Sequence, residues 1–436
     1  MIFIILALFA KPLVPNLESQ LEHNPEIYYH TLDNGLRLVH RYVNALVAHF
    51  GLFIHTGSRD ETDRENGLAH FIEHVVFKGT KKRKGFHILN RIESVGGELN
   101  AFTTKEFTVI YSTFLKQYYD RSVDLIADIA LNSIFPEKEL EKEKEIIIDE
   151  INSYLDNPYE LIFDEFEGQI FKGHPLARNI LGEPGLIKSF KRDDVLRFIS
   201  RNYNSGNMVV ASVGNIAPQT FFRMCERNFG HIARKDTNNV RTKFQDYRPQ
   251  SITEHRNTHQ THCMIGTEAY SRSDKRRNTL MLLNNILGGP GLNSRLNLLV
   301  REKYGYSYHI ESMYQPYSDT GLWCVYIGTT NGSSDKTTRL VLKELKKFRD
   351  KKLGTIQLSR AKAQLTGQMA IHFESNQSRL LSIGKGILLD KRIKTLESIY
   401  KSIESITSSD IQEVANEVFD ENKLSYLTYT SKYNDH

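Results

Sequence analysis

The sequence predicts an α+β fold of two similar domains, each a mainly antiparallel sheet with helices packed on it. Three observations carry that expectation. At 436 residues the chain is too long for one ordinary core, since domains usually run about 100–200 residues. A hydrophobic share of 40% and a charged share of 25% are those of a folded globular protein rather than a disordered or fibrous one. Finally, both halves order their elements as strand, helix, two strands, helices.

Residues 1–25 read as a leader. Within it, residues 1–10 (MIFIILALFA) are wholly apolar but fall short of the roughly 20 residues that span a bilayer. A signal peptide would carry a basic n-region and a small-residue cleavage site, and neither is evident. No stable membrane span is expected, and the expected location is cytoplasmic. Export or a periplasmic place through the apolar N-terminus is the alternative.

The first domain is expected over 26–230. Runs 35–42 and 46–56 are β-rich and separated by turn-forming residues. A helix follows over 66–77, then strands 99–104 and 107–115, and helices 117–132, 137–156, 160–171 and 185–202. A strand at 207–213 and a helix at 218–229 complete it. Residues 231–258 lose apolar periodicity and read as a linker. The second domain, 259–436, starts again with a strand at 261–268, continues through helices and strands 306–314 and 321–329, and ends in a helical tail.

The net charge of +5, from 57 basic and 52 acidic residues, is too diffuse for a nucleic-acid binder, which would concentrate it in a patch. The densest basic run, Lys78 to Lys84, reads as a solvated loop. No nucleic-acid partner is expected. Three cysteines, far apart and odd in number, form neither a disulfide framework nor a zinc knuckle, and read as reduced structural thiols.

The chemistry concentrates in GLAHFIEHVVF, residues 67–77. His70 and His74 are four apart, so on a helix they project from one face, one turn above the other. Two imidazoles so placed can both reach one zinc ion. Glu73 stands beside His74, suited to taking a proton from water. This is His-x-x-Glu-His, the inverted zincin order. Leu68, Phe71, Ile72, Val75 and Val76 surround the cluster, which implies a buried helix whose polar side chains need strong partners.

A catalytic zinc normally takes a third protein ligand. The helix over 137–156 offers Glu150, on an apolar stripe marked by Ile146, Ile147, Ile148 and Ile151. A carboxylate there is costly unless it meets a cation. Glu143, two turns earlier on the same face, is either a supporting residue beyond the ligands or a surface acid. Glu139, Glu141 and Glu145 read as a solvated charge run.

These segments resemble the inverted zinc metallopeptidase family that includes mitochondrial processing peptidase, pitrilysin and insulin-degrading enzyme. Among its members the chain looks most like the shorter, processing-peptidase-like bacterial ones. GLAHFIEHVVFKGT matches the family's metal segment, and EKEIIIDEI the segment of its third ligand. GGELNAFTTKEFTVIY matches its edge strand, and PYELIFDEFEGQIFKGHPLARNILG the helix and loop beyond. In the second half LGGPGLNSRLNLLVREKYGYSYHIESMY resembles its glycine-rich loop and the Arg-to-Tyr segment, departing at Pro290.

The resemblance implies a zinc metalloendopeptidase with one Zn2+ per chain on His70, His74 and Glu150, supported by Glu143. It implies Glu73 as general base, with Arg301 and Tyr308 as transition-state contacts from the second half. It further implies that a peptide substrate adds as a strand along Asn100 to Thr103, with Asn100, Ala101 and Phe102 binding it. Glu160 and Asp164, four apart on a helix, match acids that meet an arginine near the cut in processing peptidases, so basic peptides are expected. Long members carry four such domains in one chain. Two here imply pairing, as a homodimer or a heterodimer with a related inactive subunit.

Overall fold

The computed structural model describes residues 26–235, 240–330 and 332–431. The expected leader therefore lies wholly outside the described residues. Two sheets organise the chain. The first is built from β1 (Ile27–Thr31), β2 (Arg37–Tyr42), β3 (Val47–Ile54), β4 (Glu98–Thr103), β5 (Thr108–Leu115) and β6 (Met208–Gly214). Their order is β1-β2-β6-β3-β5-β4, and β2 and β6 form the parallel pair in an otherwise antiparallel sheet.

The second contains β7 (Ser251–Arg256), β8 (Thr261–Ala269), β9 (Ser307–Pro316), β10 (Gly321–Thr329) and β11 (Ser425–Ser431). Its order is β7-β11-β8-β10-β9, with β7 and β11 parallel. Strands β4 and β9 thus occupy corresponding free edges, each with one neighbour.

Central strands are buried on both faces. In β3 every residue from Ala48 to Ile54 is buried, and so is all of β10. Such strands lose the apolar–polar alternation of a one-sided sheet, because both faces must be covered. One face of the first sheet packs on helices of its own half, including Tyr119–Asn132 and Pro218–Phe229. The other face is covered from the second half. Leu380, Ile383, Ile387 and Leu388, on and just after the helix Asn376–Lys385, pack with Val39, Phe53, Val209 and Ala211.

The second sheet receives the reciprocal cover. Ile162, Phe166 and Ile170, on the first-half helix Pro158–Ile170, pack with Met264, Cys324, Leu427 and Tyr429. Each half therefore lends one helix to the other.

A buried ionic clamp adds to this exchange. Arg59 holds Asp319 through two hydrogen bonds of 2.6 and 2.8 Å and also holds Glu106 at 2.8 Å. Such a bidentate pair is strong and geometrically specific. Removing one partner from a buried network leaves the others desolvated and uncompensated.

Several local expectations change. The stretch 231–258, read as a linker, ends in β7, and β1 and β11 are further strands not foreseen. Strands β1 and β7 lie at sheet edges, with burial patterns that carry little apolar signal. The segment 185–202 is two helices, Pro184–Ser189 and Arg192–Asn202, broken at extended Phe190 and Lys191. A further helix spans Gly85–Glu93.

The Lys78–Lys84 run is not simply solvated. Lys78 pairs with Glu143 at 2.6 Å, and Arg83 is tied to Asp124 and Asp128. The apolar stripe beside Glu150 is narrower than its composition suggests. Ile147 and Ile151 are buried, whereas Ile146 is 49% exposed. All three cysteines are buried and unpaired, and no described helix is long and apolar enough to cross a membrane.

Candidate metal centre

The helix Leu68–Val75 follows β3 and is entered through Gly67, whose φ of +94° lies in the left-handed region. A Cβ at Gly67 would stand 2.8 Å from the Gly182 Cα and from the Leu181 carbonyl oxygen. Glycine therefore serves both the turn and the close approach. Glu61 accepts hydrogen bonds from the Gly67 and Ala69 amides at 3.0 and 2.7 Å. A carboxylate at a helix N-terminus satisfies otherwise orphaned donors. Burial nonetheless pushes its pKa up, to about 8.

Leu68, Ala69, Phe71, Ile72 and Val75 are buried, so the helix cannot rotate without exposing apolar surface. That fixes the direction of His70 and His74, whose ring centroids lie 4.7 Å apart. The second helix, Glu137–Leu155, stops before Asn157–Pro158. There the Asn157 side chain caps the next helix by accepting from the Tyr159 amide at 3.2 Å. The two helices pack so that Glu150 faces both imidazoles.

Glu150 Oε2 lies 3.5 Å from His74 Nε2 and 3.9 Å from His70 Nε2, and the three ligand atoms fall within 4.8 Å of one another. Those separations exceed a normal hydrogen bond. Two ligands each about 2.0–2.1 Å from a tetrahedral zinc stand about 3.4 Å apart. Two imidazoles and a carboxylate on such spacings are therefore a donor set that fits zinc.

His70 is disposed to be a neutral ligand. Burial, with His74 nearby, lowers the His70 pKa to about 4. His74 Nδ1 donates to Glu143 Oε2 at 3.3 Å, which turns its Nε2 towards Glu150. Glu143 is itself buried, and Lys78 holds its other oxygen. A carboxylate behind a ligating histidine fixes tautomer and orientation.

Glu73 projects beside this group. Burial raises its pKa first of all, while hydrogen bonding to Thr103 on β4 opposes the rise. That contact places the acid against the C-terminal end of the free-edged strand carrying Asn100, Ala101 and Phe102. Asn100 is exposed there, and Ala101 and Phe102 are half-buried.

Tyr308 on β9 is 81% exposed, and Arg301 sits over its ring at 5.2 Å. Among the described residues no hydrogen bond or ion pair links either of them to His70, His74 or Glu150. Glu160 is exposed, whereas Asp164 is more enclosed and accepts from Asn179 Nδ2 at 3.0 Å. The two acids do not form one open carboxylate face. Sequence reasoning missed Glu61 and Lys78, and it placed Thr103 on the substrate strand without its contact to Glu73. Only Glu61 left a trace, as an acid just ahead of the histidine helix.

Known proteins resemble the chain over most of its length. Residues 39–184 match the family model "Insulinase (Peptidase family M16)", and residues 189–365 match "Peptidase M16 inactive domain". A protein from Rickettsia bellii named as an uncharacterized zinc protease is 32% identical, over 89% of this chain and 94% of its own length. Mitochondrial-processing peptidase subunit beta of Saccharomyces cerevisiae is 30% identical, over 88% of this chain and 87% of its own. In fold, the chain superposes on a protease from Helicobacter pylori with a TM-score of 0.87 at 21% identity, covering 94% of this chain and all of that one. Full-length kinship at this level, reaching across both halves, makes the chain a member of peptidase family M16, the insulinase family, and so a metallopeptidase.

Proposed function

We propose that this chain is a zinc metalloendopeptidase acting on extended peptides or unfolded segments, with His70, His74 and Glu150 as ligands and Glu73 as the proton-handling group. The observation that carries the reading is the convergence of two imidazole nitrogens and one carboxylate oxygen from two helices far apart in the chain. Zinc, when bound, supplies a Lewis acid that acidifies water and polarises a carbonyl.

The chain's own residues do the rest. Glu73 takes the proton of the attacking water on a carboxylate oxygen and returns it to the leaving amine. Its raised pKa brings it nearer to neutrality, where an acid–base group works in both directions. Glu143 keeps the His74 proton on Nδ1. The free edge of β4 receives the substrate backbone as an added strand, which binds with little sequence reading.

The second half completes the site. Arg301 and Tyr308 act on the developing oxyanion after a closing movement, since Tyr308 is exposed in the present arrangement. Exposed Glu160 supports processing-type cleavage near a basic residue. The subunit naming of the yeast relative supports pairing, with a second copy or with a related inactive chain.

The test is Glu73→Gln, assayed for zinc content and for cleavage of a quenched peptide. Full zinc occupancy with cleavage slowed about 10²–10⁴-fold is expected. Undiminished cleavage removes Glu73 from the mechanism.

A further inference from the structure

Beyond the end of β4 the two halves enclose a hollow of about 370 Å³, walled by Phe102, Thr103, Phe107, Tyr317, Arg272 and Lys385 among others. Thr103, the residue that hydrogen-bonds Glu73, forms part of its wall. A peptide strand laid along β4 past the metal centre therefore runs into it. The volume lies at the lower end for ligand pockets, enough for a side chain or a chain terminus.

Its charges are unevenly matched. The acids on its wall are engaged: Glu106 meets Arg59 at 2.8 Å, Asp164 accepts from Asn179, and Glu167 meets Lys105 at 3.1 Å and the Tyr317 hydroxyl. Of the cations, Lys105 is engaged, whereas Arg272 and Lys385 are held loosely. The Arg272 guanidinium stands 3.7 Å from Asp390, longer than a hydrogen bond, and its Nε is buried without a partner among the described residues.

Lys385 lies 5.9 Å from the Phe107 ring, and no carboxylate among the described residues comes within ion-pairing distance of its ammonium. Arg277, Arg392 and Lys394 crowd the same region, so five cations share the field of Asp390. Burial, and then Arg272, lowers the Lys385 pKa accordingly. Half-buried cations in excess of their carboxylates favour a further anion.

We infer that this hollow is a specificity subsite for a carboxylate of the peptide substrate, held by Lys385 and Arg272. The assignment rests on the peptidase reading above and adds a preference that acts alongside any basic recognition at Glu160. Two sources present the same chemistry, a glutamate or aspartate side chain near the cut and the peptide's own C-terminus.

The test uses the full-length, zinc-loaded chain. Labelled peptides are made in pairs, with Glu or Gln at each position flanking the scissile bond and with the C-terminus free or amidated. Binding is measured by anisotropy on Glu73→Gln, and cleavage on the wild type. One pair is expected to differ by about tenfold in favour of the carboxylate, and which pair it is identifies the source. The gap should close when Lys385→Gln is added and return with Lys385→Arg, which separates charge recognition from misfolding. Equal binding within every pair overturns the subsite, and so does a preference that survives Lys385→Gln. If the wild type cuts none of the peptides, the peptidase reading falls and the subsite falls with it. Intact cleavage with equal pairs sinks the subsite alone.

Discussion

The two sheets are built to one plan and differ in what their helices carry. In the first, β2, β6, β3, β5 and β4 lie side by side, and in the second β7, β11, β8, β10 and β9 repeat the order with the same parallel pair. A helix follows β3, and a corresponding helix, Arg277–Gly288, follows β8. The first presents His70, Glu73 and His74. The second reads RNTLMLLNNILG, with no ionisable side chain after Arg277. Its polar Asn284 serves packing, donating to the Ser312 carbonyl and accepting from the Trp323 indole. The scaffold alone therefore makes no metal centre. Chemistry appears where a second helix brings a carboxylate to the imidazoles.

Breaking that convergence should have the largest effect. Glu150→Ala removes the one ligand proposed on the second helix, and zinc content and peptide cleavage should both fall to background. Glu150 is 44% exposed at its side chain, so the metal-free fold should keep its circular dichroism and melting temperature. Retained zinc at full occupancy would mean that another group completes the set.

Much of this centre was legible in the sequence because its grammar is local. His70, Glu73 and His74 fall within five residues, and Glu150 stands out as a carboxylate beside buried Ile147 and Ile151. The same local reading overextended the stripe to Ile146, which faces solvent. Interactions across long separations left no such trace. Arg59 and Asp319 are 260 positions apart, and neither residue's neighbours announce the other.

The helix exchange was hidden for the same reason, since periodicity shows that a helix has an apolar face but not which sheet it covers. Strand β11 was lost differently. Buried Leu427 and Tyr429 alternate as a strand should, but a tail rich in helical pattern absorbed them.

A smaller effect should come from disturbing the exchanged helix. Gly384 packs directly on the first sheet, where an added Cβ would stand 2.3 Å from two Phe53 ring carbons. Phe53 is fully buried and has no room to retreat. Gly384→Ala should therefore cost about 1–3 kcal/mol by overpacking, read as a lower denaturation midpoint. The loss should appear as hydrogen exchange in β3 and β6 with β8 and β10 protected. Equal loss in both sheets would show that the lent helix stabilises the molecule as a whole and not the sheet it covers.

The smallest expected effect separates the two sheets by acid. Burial lowers the pKa of His40, His49 and His55 from 6.5 to about 4, with Arg241 contributing at His55. These rings lie on β2, on β3 and just after it, while the second sheet holds one comparable ring, His262, also lowered by burial. A base with a depressed folded pKa adds stability that is complete above its unfolded value. Below pH 6.5 the unfolded chain takes up protons that the folded form refuses until about pH 4, so stability falls across that window. Glu61 and Glu73 act in the opposite direction. Their raised pKa values let the folded form hold protons that the unfolded chain releases above about pH 4.5. With His70 also lowered to about 4 in the metal-free protein, four histidine uptakes oppose these two carboxyls, so net stability falls as the pH drops from 6.5 to 4.5. In the metal-free protein, amides of β2 and β3 should therefore lose protection in that window before those of β8 and β10. Simultaneous loss would mean that the shared clamp and exchanged helices make the two sheets one cooperative unit.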